Sequence, residues 1–419
     1  MDTKKYFPSV EAIDKASEVL KEILDPTPFM KNNNLSDVYD ANVFLKREDL
    51  QMVRSYKIRG AFNKIRTLEP ELLQKGIVCA SAGNHAQGVA FSCNKLQIIG
   101  SIFMPTTTPK QKIEQVRMFG KEFIEIILTG DTFDAANAAA IEYAQETGKT
   151  FIPPFDDPKV MEGQGTIGKE ILSQTKVKLD YIFVPIGGGG LASGLGAYFK
   201  QMCPETKVIG VEPAGAPCMK AAIEAGETVR LEHIDKFVDG AAVQKAGAMT
   251  YEVCKDVLDD IVVVPEGAVC TTIIQMYNKS AIVVEPAGAL ASAALRFYAD
   301  KIKGKNVACI VSGSNNDITR MEEIREKSLL YEGLKHYFIV NFPQKSGEIL
   351  SFIRDVIGPE DDLVYIQYIK KTNKNFGPAL IGIELARKED FKGLTDRMDK
   401  HGISYEYINE NNKLFEILI

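Results

Sequence analysis

The segment Ser55-Tyr56-Lys57-Ile58-Arg59-Gly60-Ala61 puts a lysine immediately before a run with helical periodicity. Taken alone, such a lysine reads as a solvated surface group, since lysine is seldom buried without a partner. The chemical alternative is a Schiff-base lysine, which needs a depressed pKa and a place inside a cleft. Nothing local decides between the two. Further on, Ser81-Ala82-Gly83-Asn84-His85-Ala86-Gln87-Gly88 leads from an apolar strand into a helix. Free backbone N–H groups at such a helix start receive carboxylate or phosphate well. A plain cap by Ser81 or Asn84 accounts for those two residues but leaves the Gly-Asn-His succession unexplained. Gly187-Gly188-Gly189-Gly190-Leu191 follows another apolar run. Consecutive glycines cost chain entropy, which makes a purely structural role hard to justify; they let the backbone approach an anion with several N–H groups converging. No Gly-Lys-Ser/Thr follows, so this is not a Walker loop. Gly187-x-Gly189-x-x-Ala192 fits a dinucleotide fingerprint loosely, with Glu212 near the acidic position, but it lies deep in the chain. Ser312-Gly313-Ser314-Asn315-Asn316 closes a fourth apolar run, and alone it reads as an ordinary strand-end turn.

Positioning these motifs requires strands that end where the motifs begin. Between about residues 75 and 315 short β-branched runs alternate with amphipathic stretches, as parallel sheets covered by helices do. The expected strands are Ile77–Ala80, Ile98–Met104, Glu122–Leu128, Tyr181–Pro185, Val208–Val211, Ile261–Val264 and Val307–Val311. Ile58, Phe62, Ile65 and Leu68 define one helical stripe. Thr108-Pro109 opens another helix, with proline in its favoured first turn. This length of alternation exceeds one small sheet and implies two α/β lobes. After about residue 330 the rhythm changes to strand Tyr337–Phe342, helix Gly347–Ile357, strands Leu363–Lys370 and Ala379–Leu385, helix Lys388–Lys400 and strand Ser404–Ile408. That βαββαβ order is a ferredoxin-like unit, with the boundary in the charged stretch Glu322–Lys335.

With 419 residues, 45% hydrophobic and 25% charged, the chain is globular and of two or three domains. A net charge of −6 removes the basic surface that nucleic acid would need. No apolar run is long enough to span a bilayer, and no signal segment follows Met1, so a cytoplasmic protein is expected. Seven dispersed cysteines without a C-x-x-C pair read as reduced thiols, and the four histidines lack metal-binding spacing.

In this order and spacing the four motifs resemble the fold-type II family of pyridoxal-phosphate enzymes, and within it the threonine dehydratases. Phe342-Pro343 through Gly347, and Gly377-Pro378-Ala379-Leu380, look like the regulatory domain of the biosynthetic members. The resemblance covers nearly the whole chain. It implies a two-lobed α/β catalytic domain over residues 1–330 and a ferredoxin-like, ACT-like regulatory domain over 331–419. Lys57 would carry the pyridoxal 5'-phosphate as an imine. Gly187, Gly188, Gly189, Gly190 and the Leu191 amide would hold its phosphate, and Asn84 would hydrogen-bond its ring hydroxyl. The backbone of Ser81, Gly83 and His85, in one loop with Asn84, would receive the substrate carboxylate, and Ser312 would face the pyridine nitrogen. A serine there leaves the nitrogen neutral, which suits loss of a β-hydroxyl as the Cα proton is taken by Lys57.

The implied reaction is conversion of L-threonine to 2-oxobutanoate and ammonia, the first step of isoleucine biosynthesis. Isoleucine would act as allosteric effector, valine would oppose it, and the enzyme would be a homotetramer. Glu212-Pro213 is followed by Ala214-Gly215-Ala216-Pro217-Cys218 without a second carboxylate, so no divalent metal site is expected. Two other readings remain open here. One is the same fold acting on another β-substrate, as in serine dehydration, serine racemisation or threonine synthase chemistry. The other is an inactive amino-acid sensor, against which the retained Lys57 counts.

Overall fold

The computed structural model describes residues 5–370 and 375–418. Its contacts divide the chain into one compact unit ending at Asp317 and a second beginning at Ile318. The first unit contains two sheets. Its strands are β1 (Phe29–Lys31), β2 (Asn42–Arg47), β3 (Ile77–Ala80), β4 (Gly100–Met104), β5 (Ile124–Leu128), β6 (Thr150–Phe151), β7 (Tyr181–Pro185), β8 (Lys207–Pro213), β9 (Asp260–Val264) and β10 (Asn306–Val311). One sheet runs β1-β2-β10-β7-β8-β9 and is parallel except for β1 against β2. The other, β5-β4-β3-β6, is parallel throughout. Helices cover both faces of such sheets, which explains why the central strands are apolar at every position rather than alternating. Ile77, Val78, Cys79 and Ala80 of β3 are all buried, as are Val307 to Val311 of β10.

Each sheet has its own core. Ile182, Val184, Leu195, Phe199 and Val208 belong to the larger sheet's core, and Ile77, Cys79, Val89, Ile102 and Val116 to the smaller one's. The sheets therefore form the two expected lobes within one unit. Helix Lys57–Arg66 packs on helix Asn84–Leu96 and on helix Pro158–Gln174. A Cβ at Gly88 would stand 3.2 Å from the backbone of Ile58, so this glycine sets how closely the starts of the first two helices approach.

The second unit carries strands β11 (Lys335–Pro343), β12 (Asp362–Tyr368), β13 (Phe376–Glu384) and β14 (Ser404–Tyr407) in the order β12-β13-β11-β14, all antiparallel. Helices Glu348–Val356 and Asp390–Lys400 complete βαββαβ, the ferredoxin-like order read from the sequence. Phe338, Phe342, Phe352, Ile381 and Leu394 fill its core. Helix Met321–Tyr331 also belongs to this unit.

Several local details differ from expectation, among them the strand expected over Glu122–Leu128, which starts at Ile124 after a 3-10 turn. Ile99 is half exposed, and β4 begins only at Gly100. Pro109 is extended (ψ 139°) and precedes the helix, which starts at Lys110. Strands β1 and β2 were not legible, because Asn42-Val-Phe-Leu-Lys-Arg47 ends in two cations that read as surface; Lys46 is in fact wholly buried.

Candidate active site

The motifs sit at the carboxyl ends of parallel strands, where open α/β sheets bind ligands. The loop after β10 is tied to the start of the Lys57 helix: Ser55 bridges Gly313, and the Tyr56 N–H donates to the Ser312 carbonyl at 3.1 Å. The Lys57 side chain is enclosed on most sides but keeps part of its surface, and its amine donates to the Pro154 carbonyl at 2.7 Å. Burial lowers its pKa to about 8, although the Glu285 carboxyl pulls the other way. The uncharged amine is the nucleophilic form. Uptake of pyridoxal phosphate by the stripped protein is therefore expected to accelerate with rising pH, with a midpoint near 8. Stopped-flow absorbance checks this, and a midpoint at the ordinary lysine value would mark Lys57 as a solvated side chain.

In the loop after β3, Gly83 is the N-cap of helix Asn84–Leu96 and no side chain caps it. The plain-cap reading of Ser81 and Asn84 therefore fails. The Ser81 hydroxyl accepts from the Gly83 N–H at 3.2 Å, and the Ser81 N–H donates to the Phe103 carbonyl at 3.1 Å. Without a ligand those two amides bond within the loop, whereas the N–H groups of Asn84 and His85 lie in the first helical turn, where no intrahelical acceptor exists. A Cβ at Gly83 would meet nothing within 4 Å, so the space beside the loop is open. His85 is buried, and its Nε2 faces the Ile152 carbonyl at 2.9 Å. A ring nitrogen facing a carbonyl must donate, so Nε2 carries the hydrogen. Burial, and then the charge of Lys57, lower His85 to about 3, which leaves a neutral imidazole.

The glycines after β7 have packing reasons that the sequence did not reveal. A Cβ at Gly188 or Gly190 would run into Phe155, one at Gly187 would stand 3.1 Å from Ala241, and Gly189 is left-handed (φ +95°). Close packing thus accounts for four glycines without any ligand. The anion-binding capacity lies instead in what they begin: helix Gly190–Met202, whose first N–H groups, Leu191's among them, have no intrahelical acceptor. Phe155 follows Pro154, so one short segment touches both the Lys57 amine and the glycine turn.

The Ser312 hydroxyl donates to the Ala287 carbonyl at 3.1 Å, at the start of helix Pro286–Ala293. Beside it, sequence reasoning missed Glu285 and Asn315. Asn84 Nδ2 donates to Glu285 Oε1 at 2.6 Å, and Asn315 Nδ2 donates to Asn84 Oδ1 at 2.7 Å. Burial pushes Glu285 up to about 7, with Asp239 adding to the rise. The Glu285-Pro286 pair resembled an ordinary helix start, so only the fold could single it out. Glu212, the acid of the other Glu-Pro pair, accepts from the N–H groups of Met219 and Lys220 at 2.7 and 2.9 Å. Among the described residues no group of three or more His, Cys, Asp or Glu side chains is arranged to hold a metal ion.

Beneath Lys57 lies a buried charge cluster. Arg59 makes paired hydrogen bonds to Glu48 (2.7 and 2.8 Å) and to Glu170 (2.6 and 2.9 Å). Lys46 donates to Glu170 at 2.5 Å, and Thr27 closes the set on Glu48. Arg59 and Glu48 are essentially unexposed. The cluster bolts the helix that starts at Lys57 to β2 and to helix Pro158–Gln174.

The convergent groups are an enclosed amine, a helix N-terminus, an amide nitrogen and a strand-end hydroxyl. Pyridoxal phosphate has the matching parts: an aldehyde, a phosphate, a ring oxygen and a ring nitrogen. The site fits that cofactor.

The chain belongs to the pyridoxal-phosphate-dependent enzyme family, which it matches over residues 20–313, and it matches the C-terminal regulatory domain of threonine dehydratase over residues 326–418. It is 57% identical over 410 residues to the biosynthetic L-threonine dehydratase of Halalkalibacterium halodurans, covering 98% of this chain and 99% of that one. The corresponding protein of Bacillus subtilis is 54% identical, over 98% and 97% of the two chains. Among solved structures, the processed form of threonine deaminase isoform 2 from Solanum lycopersicum superposes with a TM-score of 0.72 at 38% identity, over 77% of this chain and 96% of that one. Maize serine racemase superposes with a TM-score of 0.71 at 30% identity, over 78% and 99%.

Proposed function

We propose that this enzyme removes water and ammonia from L-threonine to give 2-oxobutanoate, at the entry to isoleucine biosynthesis. The observation that carries the reading is the Lys57 amine, lowered to about 8, held on the Pro154 carbonyl beside the Phe155 that packs on the glycine turn, at the start of a helix tied to the loop after β10. A lysine in that state is half neutral near pH 8 and serves as a general base at Cα. The cofactor, when bound, supplies the electron sink that makes the Cα proton acidic. The turn Gly187 to Gly190 and the first N–H groups of the helix it opens, Leu191's among them, receive its phosphate, Asn84 donates to its ring oxygen, and the Ser312 hydroxyl, turned from the Ala287 carbonyl, donates to its ring nitrogen. The loop of Ser81, Gly83, Asn84 and His85 takes the substrate carboxylate, with the N–H groups of Asn84 and His85 at the helix start pointing to it. Neutral His85 adds no charge that would compete for that carboxylate.

The expected division into a catalytic part, 1–330, and an ACT-like regulatory part, 331–419, moves back to Asp317/Ile318, because helix Met321–Tyr331 belongs with the second unit, and that second unit is the part that binds isoleucine, with valine opposing. The assembly is taken to be a cytoplasmic homotetramer. No described helix is long and apolar enough to cross a membrane. A keto-acid assay over threonine and serine, with and without isoleucine, tests the function. Threonine should be the better substrate. Isoleucine should shift the threonine curve to higher concentration by about 5–150-fold, the range of a 1–3 kcal/mol coupling. Preferred turnover of serine would favour the serine-directed alternative, and no response at millimolar isoleucine would remove the effector.

A further inference from the structure

Glu285 occupies the N-cap position of helix Pro286–Ala293 but makes no side-chain cap hydrogen bond. An acid there normally turns its carboxylate to the first N–H groups of its helix. This one faces the other way, 4% exposed, with Oε1 on Asn84 Nδ2 at 2.6 Å. The surroundings leave room for it: a Cβ at Gly313 would stand 2.3 Å from that same oxygen, and one at Gly240 3.5 Å. On the other side of Asn84, Asn315 Nδ2 donates both to Asn84 Oδ1 at 2.7 Å and to the Val53 carbonyl at 2.9 Å. Asn315 pays for that orientation with its own Oδ1, which is buried and has no hydrogen-bond partner.

The consequence concerns which way the Asn84 amide points. Turned over, it would set its NH2 against the NH2 of Asn315 whatever the state of Glu285, and its oxygen against Glu285 Oε1, which is repulsive while that carboxyl is ionised. With Oδ1 held toward Asn315, the group that the amide turns to the Glu285 side is its NH2, whose second hydrogen is left to offer a ligand there.

We infer that Glu285 is a positioning residue which, opposite Asn315, locks the Asn84 amide as a donor toward the cofactor's ring oxygen and so favours the deprotonated form of that oxygen. The inference rests on the reading of Asn84 as the ring-oxygen residue, and it goes beyond that reading by naming what orients the amide.

The test uses the full chain stripped of cofactor and reads two quantities on adding pyridoxal phosphate: the dissociation constant by fluorescence quenching, and the pH dependence of the visible absorption. Glu285→Ala should weaken binding about tenfold, the scale of one hydrogen bond to a charged group, and displace the absorption pH profile. Glu285→Gln keeps an acceptor oxygen and should return the affinity to within about threefold of the parent. In an Asn84→Ala background the further change Glu285→Ala should alter affinity less than about twofold, because a residue acting through Asn84 has nothing left to act on. Additive losses in the double variant, or parental affinity and profile in Glu285→Ala, would overturn the inference. Parental behaviour of Asn84→Ala alone would instead sink the reading of Asn84. Should Glu285→Ala not fold, Asn315→Ala removes the opposite side of the clamp and must displace the same profile, or the inference fails.

Discussion

Lys57→Ala is expected to lower threonine turnover at least about 10³-fold, since the general base and the cofactor's covalent anchor disappear together. Its effect on stability should be small and of distinctive sign. The folded-state pKa of Lys57, about 8, lies below that of an unfolded chain's lysine. Between about pH 8 and 10.4 the unfolded chain therefore binds more protons, and parental stability gains up to about 1.4 kcal/mol per pH unit from this group. Below pH 8 the enclosed ammonium is a standing cost. Lys57→Ala should thus fold normally at neutral pH and flatten the rise in stability above pH 8. Denaturant titrations at pH 7, 8 and 9 measure that slope beside the keto-acid rate. Retained turnover, or an unchanged slope, would contradict the assignment of Lys57 as the buried amine.

Arg59→Met is expected to be the most destabilising single change near the site, by about 3–5 kcal/mol. It leaves Glu48, unexposed, and Glu170, largely buried, facing each other with Lys46 as the only remaining cation in the cluster. At roughly 2–4 °C per kcal/mol for a domain of this order, thermal unfolding should fall by about 10 °C. Arg59→Lys should recover little, because an ammonium cannot span two carboxylates in paired fashion. Lys15→Ala gives the contrast: it breaks an exposed pair with Glu11 and should cost less than about 1 kcal/mol. Since the Arg59 helix begins at Lys57, cofactor affinity should weaken in Arg59→Met as well. A melting point within about 2 °C of the parent's would show that the cluster packs around neutral carboxyls and holds nothing in place.

Much of the site was legible in sequence because each of its motifs is a short, contiguous string placed where an apolar strand ends. Strands β3 and β7 coincide residue for residue with the apolar runs that announced them. The partners of those motifs were not legible. Glu285 meets Asn84 across 201 positions of chain, Asn315 meets it across 231, and Glu170 meets Arg59 across 111. No local pattern encodes such pairings. Burial was misjudged for a related reason: Lys46 reads as surface until its amine is seen between Glu170 and the Thr27 carbonyl. The glycine turn had a second cause that no local pattern shows: beside the anion-binding role that its entropy cost suggested, Phe155, Ala241 and the left-handed Gly189 favour glycine there for packing.

The central claim is that Lys57 carries the cofactor. Borohydride reduction of the loaded enzyme, followed by peptide mapping, tests it most directly. The label should be found on the peptide containing Ser55-Tyr56-Lys57, in a stoichiometry of about one per chain, with the visible absorption lost in step. Label on any other lysine, or absorption that survives reduction, would contradict the assignment of the site and the mechanism drawn from it.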